Sequence, residues 1–226
     1  MQELLSMGGD LNTNLDEILA LQTDDMEWEK IPDTPVWRKR LDCIDDAKTG
    51  RETSLVRMEP GSVLPAEQLS DRMEILVRNG TYSDEHGEYP AGTYILNPPG
   101  FKHTPSSKQG CELYVQKRRG FSANSGRVVI DPNKSKWAPR FTGKMLRLYE
   151  DDAVREEMHI GLMPAGQVGA DHGHPGGEEV LILEGEMKDQ YNVYKKGTWL
   201  RFPGSFRHET TSKDGCLLYV REGDVG

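Results

Sequence analysis

The sequence predicts an all-β chain made of two tandem copies of one small sandwich or barrel. Three observations carry that expectation. Displaced by 105 residues, the sequence lies on itself without a gap, and 20 of the 66 residue pairs from Thr53 to Arg118 are identical. Unrelated chains would agree at roughly one pair in seventeen from residue usage alone. Short apolar runs recur between turn signals, which is the pattern of strands rather than helices. The 24 glycines and 13 prolines supply many turns and leave little room for long helices. The repeating unit is longer than that of a solenoid, so a duplicated domain is the better reading.

In chain order, residues 1–24 lie outside the repeat. Leu11, Leu15, Ile18, Leu19 and Leu21 approximate helical spacing, and Asn14 or Asp16 is a fitting cap. A short N-terminal helical leader packed on a domain is therefore expected. The first domain is expected over residues 25–121 and the second over 127–226. Between them, Arg119-Gly120-Phe121-Ser122-Ala123-Asn124-Ser125-Gly126 has the small, polar composition of a linker.

Within each unit the strands follow from local pattern. Residues 74–77 and 180–183 are apolar runs that stop at Asn79-Gly80 and Glu184-Gly185, and Asn-Gly reads as a hairpin turn. Residues 93–96 and 198–202 each follow a glycine and stop at a proline. Residues 112–115 and 217–220 are rich in side chains favoured in sheets. Trp199 matches Tyr94 across the repeat, as a shared core position would.

Composition removes several classes of function. The chain has 28 Lys+Arg against 37 Asp+Glu, a net charge of −9, so general nucleic-acid or anionic-membrane binding is not expected. No stretch approaches the ~20 apolar residues that cross a bilayer. The first residues lack the basic start and apolar run of a signal peptide, so a cytoplasmic location is expected. The three cysteines, Cys43, Cys111 and Cys216, include no Cys-x-x-Cys, which argues against a disulfide scaffold and a zinc finger. Cys111 and Cys216 match across the repeat and read as buried, reduced thiols.

The chemistry lies in the histidines. Only six are present, and two fall in Asp171-His172-Gly173-His174-Pro175-Gly176-Gly177-Glu178-Glu179. Residues two apart on a strand share a face, so His172 and His174 can aim at one point. A Pro-Gly-Gly turn can bring Glu178 back past that point, and His208 follows the turn of a later hairpin. Three imidazoles and one carboxylate suit a divalent transition metal. Glu179 alternates to the opposite face and matches Glu74, which favours a structural role for both. In the first unit the equivalents of His172, His174, Glu178 and His208 are Glu67, Leu69, Met73 and His103. Such a vestigial set is expected to bind metal weakly or not at all. Arg72 is placed either to pair with Glu67 or Glu74 there or to lie solvated on the loop. His159 is a minor candidate for a ligand contact.

These residues carry a family resemblance. Gly166-x5-His172-x-His174-x3-Glu178-x6-Gly185 resembles the first cupin motif in full. Gly197, Pro203 and His208 resemble the second, with Ser205 where glycine is usual, and Gly92, Pro98, Gly100 and His103 complete it in the first unit. The chain thus resembles a bicupin over residues 25–226. The segments 33–41, 84–92 and 174–179 resemble the cupin domain of ChrR-type anti-sigma factors in particular. The resemblance implies two RmlC-like jelly rolls, or double-stranded β-helices. It also implies one metal in the second barrel, held by His172, His174, Glu178 and His208. Zinc comes first, with Fe, Mn or Ni as alternatives.

The same resemblance implies a signal-receiving module with a small-molecule ligand in the barrel. The alternative is a metal-dependent enzyme of dioxygenase type acting on a small organic molecule. Only residues 1–24 precede the first cupin, without His or Cys, so the family's N-terminal zinc module is not expected. Sigma-factor binding by that module is not expected either, whereas a homodimer is compatible with the fold.

Overall fold

The computed structural model describes residues 1–5, 8–119, 126–140, 143–152 and 155–223. The expected linker falls mostly outside the described residues. The chain divides into two compact units, Met1–Thr13 with Glu27–Lys134, and Asn14–Met26 with Ser135–Gly226.

Each unit is built around one large antiparallel sheet. In the first, the strands lie in the order Val128–Ile130, Tyr94–Asn97, Arg72–Asp84, Cys111–Arg118, Arg51–Met58, Val36–Ile44, Glu29–Lys30. In the second the order is Leu19–Gln22, Thr198–Phe202, Glu178–Lys188, Cys216–Glu222, Glu156–Met163, Gly143–Asp151, Ala138–Arg140. Each unit adds a two-stranded ribbon, Lys102–His103 on Glu67–Gln68 in the first and His172–Gly173 on Arg207–His208 in the second. No helix among the described residues is long and apolar enough to cross a membrane.

The leader departs from expectation. Its described α-helix is confined to Gln2–Leu5, a single 3-10 turn follows at Thr23–Asp25, and Leu19–Gln22 is a strand, paired in register with Thr198–Arg201. The loose helical spacing of Leu11, Leu15, Ile18 and Leu19 does not prevail, because pairing with the Thr198–Phe202 strand satisfies the backbone directly. Ile18 remains 44% exposed, so no apolar helical face is buried there. Val128–Ile130 takes the matching place in the first unit, since Val129 opposes Ile95 as Ala20 opposes Leu200.

A second expectation is corrected at Asn79-Gly80 and Glu184-Gly185. Neither is a hairpin turn. Both lie inside long continuous strands, Arg72–Asp84 and Glu178–Lys188, beside shifts of register against the neighbouring strand. Gly80 and Gly185 have φ of +72° and +74°, and a Cβ on either would collide with the carbonyl of Gly110 or Gly215. A bulge needs a glycine here for both reasons.

The bulge changes which residues face inward. Glu178 and Val180 line the interior cavity of the second unit before it, and Met187 lines it afterwards. Strand side chains alternate with period two, so this change from even to odd positions requires one extra residue. Met73, Ile75 and Val77 followed by Tyr82 repeat the arrangement in the first core.

Candidate metal centre

Local sequence explains how the second unit gathers its donors. His172 opposes His208 directly across the two-stranded ribbon. Gly173 lets that ribbon close, because a side chain there would meet the Phe206 carbonyl. Gly177, at φ +83°, donates its N–H to the His174 carbonyl at 2.8 Å and turns the chain into the Glu178–Lys188 strand. Glu178 then stands opposite Phe202 on one side and Glu222 on the other.

The donor atoms converge. His172 Nε2 lies 3.2 Å from His208 Nε2. Glu178 Oε1 is 3.7 Å from His174 Nε2, and its Oε2 is 3.6 Å from His208 Nε2. Bonds of about 2.0–2.1 Å to a tetrahedral ion give ligand-to-ligand edges of about 3.3 Å, near these three separations; His172, His174 and His208 form one group of donor atoms close enough to share an ion, and His174, Glu178 and Glu222 form another. Glu178 Oε2 is buried without a hydrogen-bond partner. His172 Nδ1 faces the Ala170 carbonyl at 2.9 Å, which assigns its proton to Nδ1 and leaves Nε2 as a lone pair aimed inward. An orphaned carboxylate oxygen facing inward-aimed imidazoles fits a divalent cation well.

The electrostatics of the three groups differ. Burial pushes the Glu178 carboxyl up to about 7, with the His174 charge pulling the other way. Burial, then the neighbouring His172 and His174, pushes His208 down to about 4. A neutral imidazole is the form that ligates metal. Burial also opposes the charged form of His174, but the hydrogen bond to Glu222 and the Glu178 and Glu222 charges outweigh it and raise its pKa.

A cavity of about 510 Å³ opens beside these donors. Leu162, Met163, Val168, Met187, Leu218 and Val220 supply apolar wall, and Arg140 and Lys144 add positive charge. That volume accommodates a small organic molecule. His159 is buried and also lines the cavity, while Glu179 does not.

Two participants escape motif reading. Glu222 Oε2 lies 3.2 Å from His174 Nδ1, and Arg140 Nη2 lies 2.9 Å from Glu222 Oε1. A signal for Glu222 exists in the alternation of the last strand, because Leu218, Val220 and Glu222 share one face and all line the cavity. Arg140 gives no comparable signal.

The first unit brings only two of the four equivalent residues together. His103 Nε2 lies 2.9 Å from Glu67 Oε1, and the Met1 ammonium donates to Glu67 Oε2 at 2.8 Å. Burial alone would raise the Glu67 carboxyl, but hydrogen bonds from His103 and Met1 hold it down at about 2. Tyr82 Oη contacts the other ring nitrogen of His103 at 3.1 Å. Leu69 and Met73 are 2% and 0% exposed and join Met1 and Leu5 in the apolar core. Arg72 pairs with Glu74 at 3.1 Å.

The family described as ChrR Cupin-like domain matches residues 16–119 and again 125–226. No curated relative matches the chain. Among solved structures, a provisionally named dioxygenase from Nostoc punctiforme superposes with a TM-score of 0.77 at 16% identity, over 93% of this chain and 84% of that one. Protein Ylba from E. coli superposes with a TM-score of 0.72 at 15% identity, over 100% and 98% of the two chains. Bacillus subtilis oxalate decarboxylase, described with Mn(II) centres, gives a TM-score of 0.63 at 12% identity, over 92% and 77%. At these identities the likeness is one of fold.

Proposed function

This chain belongs to the ChrR cupin-like domain family, and from that premise we propose that its C-terminal barrel holds one divalent transition metal and receives a small organic ligand beside it. His172, His174, Glu178 and His208 are the ligands in this reading, and zinc is the first candidate, ahead of iron, manganese and nickel. The supporting observation is the cluster of His172, His174 and His208, with the buried Glu178 carboxylate facing His174 and His208 and one of its oxygens lacking a hydrogen-bond partner. The first barrel holds no metal in this reading, since Leu69 and Met73 replace two donors with apolar core.

The role that follows is that of a signal-receiving module, as in the cupin part of ChrR-type anti-sigma factors. Ligand arrival at the metal would change the second barrel. A second reading, a metal-dependent enzyme, is favoured by the cavity of about 510 Å³ beside the donors. The likeness to a provisionally named dioxygenase and to oxalate decarboxylase points the same way. A bound metal would supply Lewis acidity and a template for a ligand oxygen. The protein's own part is to orient that ligand between the apolar wall and Arg140 and Lys144.

Elemental analysis of protein purified without added metal tests the proposal. One metal per chain is expected, retained in His103→Ala and lost in His174→Ala. Two metals per chain, or equal loss from both variants, would overturn it. Zinc without coordinated water favours the sensing role, whereas iron or manganese with coordinated water favours the enzyme.

A further inference from the structure

We propose that Glu222 is a positioning residue of the metal centre: it accepts the Nδ1 proton of His174, so that this imidazole presents Nε2 to the metal, and Arg140 holds the carboxylate in place. The inference rests on the metal reading given above and adds a residue that the cupin motifs do not contain.

The geometry is direct. His174 has one nitrogen on each side of the problem. Nε2 faces Glu178 at 3.7 Å, and Nδ1 faces Glu222 Oε2 at 3.2 Å. A carboxylate at that nitrogen favours the tautomer with the proton on Nδ1, and therefore a lone pair on Nε2. His172 solves the same problem with a neutral acceptor, the Ala170 carbonyl at 2.9 Å. In both rings the outer partner fixes which nitrogen faces inward.

Glu222 is itself held. Its backbone lies in register with Glu178 on one neighbouring strand and Glu157 on the other. Arg140 Nη2 reaches Glu222 Oε1 at 2.9 Å, while Arg140 Nη1 reaches Glu157 Oε1 at 3.2 Å. The guanidinium therefore bridges two carboxylates, and its planar fork restricts the Glu222 rotamer. Glu157 also approaches His159 Nδ1 at 3.4 Å. His174, Glu222, Arg140 and His159 line the cavity, and Glu157 joins the last two from outside that lining.

The repeat supplies a second, independent observation. At the equivalent positions of the first unit Leu69 replaces His174 and Lys117 replaces Glu222. The supporting carboxylate is absent from the unit that lacks the imidazole it would support.

Outer carboxylates of ligating histidines typically contribute 10- to 100-fold in metal affinity. The test uses the full chain loaded with Zn(II). Long-range ¹H–¹⁵N correlation of the histidine rings should find His174 protonated at Nδ1 and metal-bound at Nε2. Chelator competition should find Glu222→Ala weaker for Zn(II) by about 10- to 100-fold. Glu222→Gln, which keeps an acceptor oxygen but not the charge, should fall between Glu222→Ala and the parent. The thermal midpoint of each metal-free variant separates loss of affinity from loss of folding. Metal bound through Nδ1 of His174, or an affinity within twofold of the parent in Glu222→Ala, would overturn the assignment. If Glu222→Ala does not fold, the ring-nitrogen assignment in the parent protein decides alone. Failure of the parent to bind any divalent metal would overturn the metal reading and this inference together, whereas normal binding with an indifferent Glu222 would overturn only the latter.

Discussion

Replacing Gly185 with alanine should destabilise the second unit well beyond the same change at Gly166. The two glycines share a unit and nearly the same backbone twist, φ +74° and +76°. Their surroundings differ. Nothing lies within 4 Å of a Cβ built on Gly166, whereas one on Gly185 would intrude on the carbonyl and backbone of Gly215 and Cys216. Gly166→Ala therefore bears only the left-handed strain, about 1–2 kcal/mol. Gly185→Ala bears that strain plus an overpacking cost of about 1–3 kcal/mol, because the intruded atoms are backbone and cannot rotate away. The expected total is about 2–5 kcal/mol. The bulge also sets the alternation that turns Glu178 and Met187 to the same cavity, so Zn(II) affinity should fall in Gly185→Ala. Urea unfolding in metal-free buffer, monitored by fluorescence and circular dichroism, measures the first effect, and chelator competition the second. Equal costs for the two variants, or a cheaper Gly185→Ala, would refute the claim that close backbone approach at the bulge fixes this residue.

Burial pushes the Glu52 carboxyl from its ordinary 4.5 up to about 7, so the folded state holds that proton more tightly than the unfolded chain. The penalty is absent below pH 4.5, grows as pH rises to about 7 and is constant above, reaching at most about 3 kcal/mol; Glu52→Gln should flatten stability across that window, and an unchanged slope would remove Glu52 as its source. Burial raises the Cys111 thiol to about 11 and the Cys216 thiol to about 12. Since the thiolate is the reactive form, a disulfide reagent at pH 8 should label neither cysteine until denaturant opens the fold, and rapid labelling of the native protein would contradict the placement of both.

Much of this was legible because duplication writes each element twice. The strand 198–202 is found at its expected limits, and 112–115 and 217–220 lie within Cys111–Arg118 and Cys216–Glu222. What escaped depends on partners far away in the chain. No local pattern tells that Leu19–Gln22 pairs with a strand some 180 residues later, and its apolar spacing mimics a helix. Asn79-Gly80 has the composition of a hairpin turn, yet the close approach of Gly110 decides that it is a bulge. The histidine cluster was readable from its spacing because its first three donors lie within seven residues. Glu222 stands on another strand, where only its alternation with Leu218 and Val220 marks it, and its repeat partner is a lysine rather than a second carboxylate.

The two units show what a donor cluster costs a fold. In the second unit the same surroundings push a carboxyl up to about 7 and an imidazole down to about 4, each toward its neutral form. Both shifts mean that burial disfavours these two charges in the metal-free barrel, whereas Glu222 and Glu178 shift His174 toward its charged form. The first unit removes that cost with the same backbone frame. Leu69 and Met73 add apolar contact where His174 and Glu178 would stand, and the remaining pair is satisfied, with Glu67 between His103 and the Met1 ammonium. A few substitutions thus convert the centre of this barrel from a donor-lined cavity into packed core. The same frame can bury these positions with apolar residues, so fold stability alone does not account for His172, His174, Glu178 and His208. Under the proposed metal reading, a divalent cation would compensate the buried Glu178 carboxylate and accept the lone pair of a neutral His208.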